Sequence, residues 1–150
     1  MIRLLTEADR SVVVKLLNTA PHLNLYMLGN LETLGFAHDI CTFWGDDVSP
    51  AAGGHHLHAV LNRYMTGWAV YGEPDADWAG LGQVLDAHTA GATRLQDNPG
   101  GVASFLPYLQ HYRAEQVHVE ELMVLAITAF RLVAAPGDVT VRRGQMADLP

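Results

Sequence analysis

The fold of this chain is decided by two neighbouring segments, LHAVLNR at residues 57–63 and GWAVYG at residues 67–72. Both combine apolar, β-branched and aromatic residues of the kind that strands favour, and only a short connection separates them. The two segments therefore predict a β-hairpin.

A further strand is predicted just before the hairpin, at residues 39–45. Its period of two places one set of side chains on each face: Ile40, Thr42 and Trp44 on one, Cys41 and Phe43 on the other. Residues 46–54 contain acids, Pro and Gly and predict a turn before the hairpin. Three consecutive strands predict an antiparallel meander.

Helices with one apolar face are predicted on both sides of this meander. Four segments show helical spacing: Ala8, Val12 and Leu16 in residues 6–18; Leu23, Met27, Leu31 and Leu34 in residues 22–34; Trp78, Leu81, Leu85 and His88 after a cap at Asp75 or Asp77; and Val102, Phe105, Leu106 and Leu109 after Pro99. Pro107 predicts a kink in the last helix. Short strands are predicted at residues 2–5 and 93–96, and the longest strand at residues 117–127.

This order of elements predicts an α/β fold of the α+β type. We expect a mixed sheet with a central antiparallel meander and helices on both faces. Strand-helix-strand units before and after the meander predict parallel neighbours at these places.

Composition and charge argue against several classes of function. The 150 residues carry a net charge of −7, and their few cations are scattered, whereas nucleic-acid binding relies on clustered cations. The chain shows neither a signal peptide nor an apolar run of membrane length, and its one cysteine, Cys41, fits a reducing compartment. We expect a soluble cytoplasmic protein without nucleic-acid or membrane partners.

The end of the sequence repeats its beginning. When Ile2 is aligned with Val141, three identities follow without a gap: Arg3 with Arg142, Ala8 with Ala147 and Asp9 with Asp148. The second copy follows a Pro-Gly connector, which is typical of a tandem duplication, although coincidence is the alternative. We expect one domain at residues 1–127, a linker at 128–138 and the start of a second, truncated domain at 139–150.

The opening segment, Ile2-Arg3-Leu4-Leu5-Thr6-Glu7-Ala8-Asp9, resembles the first strand and helix start of the GNAT superfamily of acetyl-CoA-dependent N-acetyltransferases. The segment at residues 141–150 resembles that start more closely still, and the predicted order of elements matches GNAT domains through their sixth strand. The chain thus looks like the degenerate N-terminal half of a tandem GNAT protein. The resemblance implies acetyl-CoA as the cofactor of a C-terminal GNAT domain of the same chain.

The GNAT signature is an Arg/Gln-x-x-Gly-x-Gly/Ala loop between the fourth strand and the third helix, whose amides hold a pyrophosphate. The matching position here reads Gly72-Glu73-Pro74-Asp75-Ala76-Asp77. Three carboxylates would stand where two phosphates sit in the family, and Pro74 has no amide to donate. We therefore predict that this half binds no cofactor in the family manner; helix capping is the simpler role for Asp75 and Asp77.

Other candidate residues each have a plainer interpretation. The resemblance offers Tyr108 and Tyr112 as the general acid of GNAT enzymes, but packing is the simpler role. His56 and His58 would share one face of a strand, yet no third metal ligand is near in sequence, so a solvated strand end is the simpler interpretation. The loop at residues 96–101 is a weak candidate for anion binding, and Cys41 is expected to be a buried, inert thiol.

We therefore expect a non-catalytic GNAT-like module, without catalytic, cofactor or metal residues of its own. It would pack against the C-terminal catalytic GNAT domain and shape its acceptor site. In that case Trp44, Trp68 or another large apolar side chain should form an exposed patch here. The alternative is an acyl-CoA-binding acetyltransferase domain that is active in its own right, and a homodimer stays open.

Overall fold

The computed structural model describes residues 1–48, 56–88, 91, 93–96, 99–113 and 115–119. A five-stranded sheet forms its centre, with the strands in the order β1-β2-β3-β4-β5. The strands are β1 (Ile2–Leu4), β2 (Cys41–Val48), β3 (His56–Tyr64), β4 (Gly67–Gly72) and β5 (Arg94–Gln96). The helices are α1 (Arg10–Leu17), α2 (Leu25–Leu34), α3 (Trp78–His88) and α4 (Pro99–Phe105).

The sheet is mixed and contains the predicted antiparallel meander. Strands β2, β3 and β4 pair antiparallel in sequence, and β5 lies parallel to β4. Strand β1 pairs antiparallel with β2, so the parallel neighbour predicted before the meander is wrong. The single helix α3 connects β4 to β5, and these two strands run in the same direction. The two helices α1 and α2 connect β1 to β2, and these strands run in opposite directions.

A core cluster lies on each face of the sheet, as the fold class predicted. One cluster joins α1 and α2 to β2 and β3, and the other joins α3 and α4 to the opposite face. The first contains Val13, Leu16, Leu17, Met27, Leu31, Cys41, Phe43, Leu57 and Val60. The second contains Trp44, Ala59, Leu61, Trp68, Val70, Trp78, Leu81, Leu85 and Phe105.

The first two helices begin later than predicted. A 3₁₀ turn at Glu7–Asp9 precedes α1 and shifts its buried face, so Val13, Leu16 and Leu17 are buried while Ala8 is exposed. Helix α2 begins at Leu25, and Leu23 lies exposed before it. In the last helix, α4 gives way to a 3₁₀ turn at Leu106–Tyr108, which is the break that Pro107 predicted.

The predicted turn at residues 46–54 is wrong at its start. Asp46 and Asp47 continue strand β2 and are only 3% and 7% exposed. They tolerate burial because each has a charged partner: the N-terminal ammonium lies 3.0 Å from Asp46 Oδ1, and Arg3 Nε lies 2.7 Å from Asp47 Oδ2.

The predicted strand at residues 117–127 is not formed at its start, since residues 115–119 have no regular secondary structure and Val117 and Val119 are exposed. Residues 120–127, the linker at 128–138 and the repeated segment at 139–150 lie outside the described residues. Among the helices that the structure describes, none is long and apolar enough to cross a membrane.

Candidate functional site

The candidate site lies where β4 ends and the chain passes to α3. Gly72 closes β4 against β3 so tightly that a Cβ there would collide with Cβ of Ala59 and approach the carbonyl oxygen of His58 to 2.9 Å. The next amide, of Glu73, donates to that His58 carbonyl at 2.7 Å. The connection at residues 73–77 therefore starts from a fixed position on the edge of the hairpin.

The acids of this connection have structural partners. Asp77 caps α3, because the amide of Gly80 donates to Asp77 Oδ1 at 2.9 Å, which confirms one of the two predicted caps. The amide of Asp77 donates to Oδ2 of Asp46 at 2.9 Å. Burial raises the pKa of Asp46, but this amide and the N-terminal ammonium outweigh it and bring the pKa below its ordinary value.

Most backbone amides of the connection are already used inside the protein. Among residues 73–77, three amides donate to protein acceptors: Glu73 to His58 O, Ala76 to Glu73 O and Asp77 to Asp46 Oδ2. At the start of α3, the amide of Trp78 donates to Ala76 O and the amide of Gly80 donates to Asp77 Oδ1. Pro74 has no amide. An anion at this position would have to displace these bonds and approach three carboxylates.

Two histidines of β3 face the same connection. His56 Nε2 lies 3.3 Å from Glu73 Oε2, and His58 Nε2 lies 3.9 Å from the same oxygen. His58 Nδ1 lies 3.6 Å from Asp75 Oδ1. One ligand atom from each of His56, His58 and Glu73 can be chosen so that all lie within 4.8 Å of one another. No third ligand is close in sequence, but Glu73 is close in space.

The hairpin register is the signal that would have found this cluster. Tyr64 pairs with Gly67 at the turn and Ala59 pairs with Gly72 at the other end. The next position in this register puts His58 opposite Glu73, and the alternation of β3 puts His56 on the same face. The predicted hairpin, extended by one residue pair, would thus have placed His58 beside Glu73.

The remaining candidate residues take structural positions. Tyr112 is partly buried against the second core cluster, whereas Tyr108 is 45% exposed and its backbone packs on Gly82 of α3. Cys41 is fully buried, and burial raises the pKa of its thiol although the Asn62 side chain donates to Sγ. The loop at residues 96–101 is described only in part.

The exposed patch expected at the tryptophans is wrong for Trp44 and Trp68, which are 7% and 3% exposed. Their side chains pack on each other in the core, with ring centroids 5.6 Å apart. Exposed apolar side chains occur instead around α2 and the β3–β4 turn: Leu25 62%, Tyr26 68%, Ile40 39%, Tyr64 40% and Met65 60%. We call these five residues the α2 patch; Leu25, Tyr26 and Tyr64 line a groove of about 310 Å³ within it.

A charged network joins the first strand to the first helix. The Arg3 guanidinium contacts both oxygens of Asp9, at 2.6 and 3.0 Å, and Asp47 at 2.7 Å. Asp9 also accepts hydrogen bonds from the amide and the hydroxyl of Thr6. Hydrogen bonding from Arg3 lowers the pKa of Asp9 well below its ordinary value, against the opposing effect of burial.

Comparison of the chain with protein-family models, with curated proteins and with solved structures finds no match in any of the three.

Proposed function

We propose that residues 1–127 form a GNAT-like module that does not bind acetyl-CoA at its β4–α3 connection. The module instead serves as a packing partner for a second GNAT-like domain of the same chain, which would start at Val139, carry the acetyl-CoA and have its acceptor site shaped by this contact. The parent protein would then be an N-acetyltransferase whose chemistry lies in that second domain. The single cysteine fits the cytoplasmic location that the sequence predicts.

The observation that carries the cofactor part of the proposal is the state of the β4–α3 connection. Its amides donate to acceptors inside the protein, and Glu73, Asp75 and Asp77 surround the position with negative charge. Two unit charges of like sign about 4 Å apart repel by roughly 4 kcal/mol at an effective dielectric of about 20. A pyrophosphate would therefore meet repulsion without the amide contacts that compensate for it elsewhere.

The order of elements through β5 supports the GNAT-like interpretation, as does the parallel pairing of β4 and β5 around α3. The Arg3–Asp9 ion pair strengthens the case for a repeat. Two of the three identities between the ends of the sequence fall on the partners of this pair, which recur as Arg142 and Asp148. A coincidental match between the two segments would rarely preserve both residues of one ion pair.

The α2 patch is the surface that we assign to the packing role. Its groove combines the exposed apolar side chains of Leu25, Tyr26 and Tyr64 with the polar side chains of Asn30 and Thr33. The other two residues of the patch, Met65 and Ile40, are neighbours, since the Met65 amide donates to the Ile40 carbonyl at 2.8 Å. A group of exposed apolar side chains of this kind is typical of protein contact sites. A second GNAT-like domain is the partner we propose, and a second copy of this module is the competing outcome.

Calorimetric titration of the 150-residue chain with acetyl-CoA tests the proposal. We expect no binding at micromolar concentrations of cofactor. The variant Glu73→Gln/Asp75→Asn removes two of the three charges but leaves the amides engaged, so it should also fail to bind. Micromolar binding by the unaltered chain would contradict the proposal and favour an acetyltransferase domain that works by itself. Binding gained by the variant would show that charge alone, and not the amide arrangement, excludes the cofactor.

A further inference from the structure

We propose that His56, His58 and Glu73 form a binding site for a divalent transition-metal ion, with Zn²⁺ as the ion that suits this ligand set. The site lies at the exit of β4, and it does not depend on whether the module packs against a second domain.

The spacing of the three side chains fits tetrahedral coordination. Zinc holds imidazole nitrogens and carboxylate oxygens at about 2.0–2.2 Å, which places neighbouring ligand atoms roughly 3.3–3.5 Å apart. His56 Nε2 and Glu73 Oε2 already lie 3.3 Å apart, and His58 Nε2 lies 3.9 Å from the same oxygen. The imidazole rings of His56 and His58 have centroids 4.8 Å apart and an interplanar angle of 80°, so they do not stack against each other. Small side-chain rotations bring all three ligands to one ion.

The backbone holds these ligands in place before any ion binds. His56 and His58 lie on one face of β3, and the Glu73 amide is fixed to the His58 carbonyl at 2.7 Å. Gly72 keeps the two strands in close contact at this point because no Cβ fits between them. The fold therefore fixes the backbone positions of the ligands and leaves only their side chains to be ordered, and this lowers the entropic cost of coordination.

Asp75 is not one of the three proposed ligands, but it lies beside one of them, His58. Metal-bound histidines commonly direct their second ring nitrogen to a carboxylate, which fixes the ring orientation. His58 Nδ1 faces Asp75 Oδ1 at 3.6 Å, while His58 Nε2 faces Glu73. Asp75 can thus orient the His58 ring, and the fourth position of the ion stays open to water or to a ligand.

Charge and exposure favour a cation of this class. His58 lies 19% exposed at the base of the cluster, whereas the side chains of His56 and Glu73 are 53% and 40% exposed, which leaves a path for entry. Two imidazoles select Zn²⁺ and its neighbours over Mg²⁺ and Ca²⁺, which prefer oxygen ligands alone. The carboxylates that oppose an anion at this connection attract such a cation.

Calorimetric titration of tag-free, chelator-treated chain with zinc chloride tests this inference. We expect one Zn²⁺ per chain with a dissociation constant on the order of 1 µM. His58→Asn and Glu73→Gln should each weaken binding by at least about tenfold. Replacing a residue that only hydrogen-bonds to a metal ligand already lowers metal affinity by about 10–100-fold. Glu73 is a half-exposed residue, so Glu73→Gln keeps the measurement informative if His58→Asn fails to fold, which circular dichroism would show.

The matched control is His111→Asn. His111 also faces a carboxylate, with Nδ1 3.5 Å from Asp86 Oδ2, but among the described residues this pair belongs to no group of three possible metal ligands. This variant should keep the affinity of the unaltered chain. Substitution with Co²⁺ should give the strong visible absorption of a tetrahedral site, and Glu73→Gln should remove it.

Three results would overturn the inference. The first is the absence of zinc binding at millimolar concentrations. The second is an affinity that Glu73→Gln and His58→Asn leave unchanged. The third is an equal loss in His111→Asn, which would indicate scattered surface binding to single histidines.

Discussion

Replacement of Asp9 by Asn is the perturbation that most directly tests the electrostatic framework of this fold. Asp9 is 6% exposed, accepts two hydrogen bonds from the Arg3 guanidinium and joins Thr6 at the start of the first helical segment. Asparagine has nearly the same shape and keeps one oxygen for the Thr6 amide. The substitution therefore removes the charge and leaves most of the cap.

The expected loss of stability is about 2–3 kcal/mol. Breaking a fully buried ion pair costs about 3–5 kcal/mol, and a charged hydrogen bond contributes about 1.5–3 kcal/mol. The Arg3 side chain is 28% exposed and keeps its contact with Asp47, so its charge is not left without compensation. The expected loss therefore lies below the cost of breaking a fully buried ion pair.

The pH dependence has a definite sign. Arg3 holds the pKa of Asp9 below its usual range, whereas in the unfolded chain an aspartate titrates near 3.9. A group with a depressed pKa in the folded state contributes stability above its unfolded pKa, and loses it as the pH falls towards the folded value. The stability difference between the unaltered chain and Asp9→Asn should be constant between about pH 5 and 8 and shrink below about pH 4.

Urea unfolding followed by tryptophan fluorescence measures this difference, because all three tryptophans are buried. With a urea slope of about 1–3 kcal/mol/M, the midpoint should fall by roughly 0.7–3 M. Glu7→Gln is the matched control: the exposed Glu7 pairs with Arg10 in the same segment, and its loss should leave the midpoint unchanged. A double-mutant cycle with Arg3→Gln should return most of the loss as coupling. An Asp9→Asn variant as stable as the unaltered chain, or a difference that persists undiminished below pH 3, would refute the reasoning.

Two further predictions concern the site and the surface. Gly72→Ala should destabilise the fold by about 1–3 kcal/mol, because the new Cβ collides with Ala59 across the hairpin, whereas Gly67→Ala, with its nearest neighbour at 3.6 Å, should cost less in the same urea assay. Tyr26→Ser should leave the stability of the 150-residue chain unchanged, since Tyr26 is 68% exposed. In a longer chain that continues past Pro150 it should increase hydrogen exchange in α2, and equal exchange with and without the substitution would count against packing at this patch.

The parts of the fold that depend on local periodicity could be predicted from the sequence. The alternation at Cys41, Phe43 and Trp44 placed these side chains on opposite faces, and each joined the core cluster of its face. The hairpin between residues 57 and 72 was predicted for the same reason. Its register even contained the pair of His58 and Glu73, which counting from the turn would have shown.

The parts that depend on distant partners could not be predicted in this way. Asp46 and Asp47 have the composition of a turn, yet they are buried in β2 because their partners are the N-terminus and Arg3, more than forty residues earlier. Local propensity carries no information about such partners. The same limit explains Trp44 and Trp68: large apolar side chains are equally suited to a contact surface and to a core, and only the packing of α3 over the sheet decides for the core.

The acids of the β4–α3 connection give the site two properties that can be separated by experiment. Asp77 accepts a hydrogen bond from the Gly80 amide and so removes a donor that an anion would need, whereas Glu73 faces the histidines and provides a ligand for a cation. If charge were the only factor, neutralising Glu73 would both abolish zinc binding and begin to permit acetyl-CoA. Because the amides stay engaged with Asp46 and Asp77, Glu73→Gln should lose the metal and still fail to bind the cofactor. That combination of results would locate the exclusion of acetyl-CoA in the backbone of the connection and the affinity for zinc in its side chains.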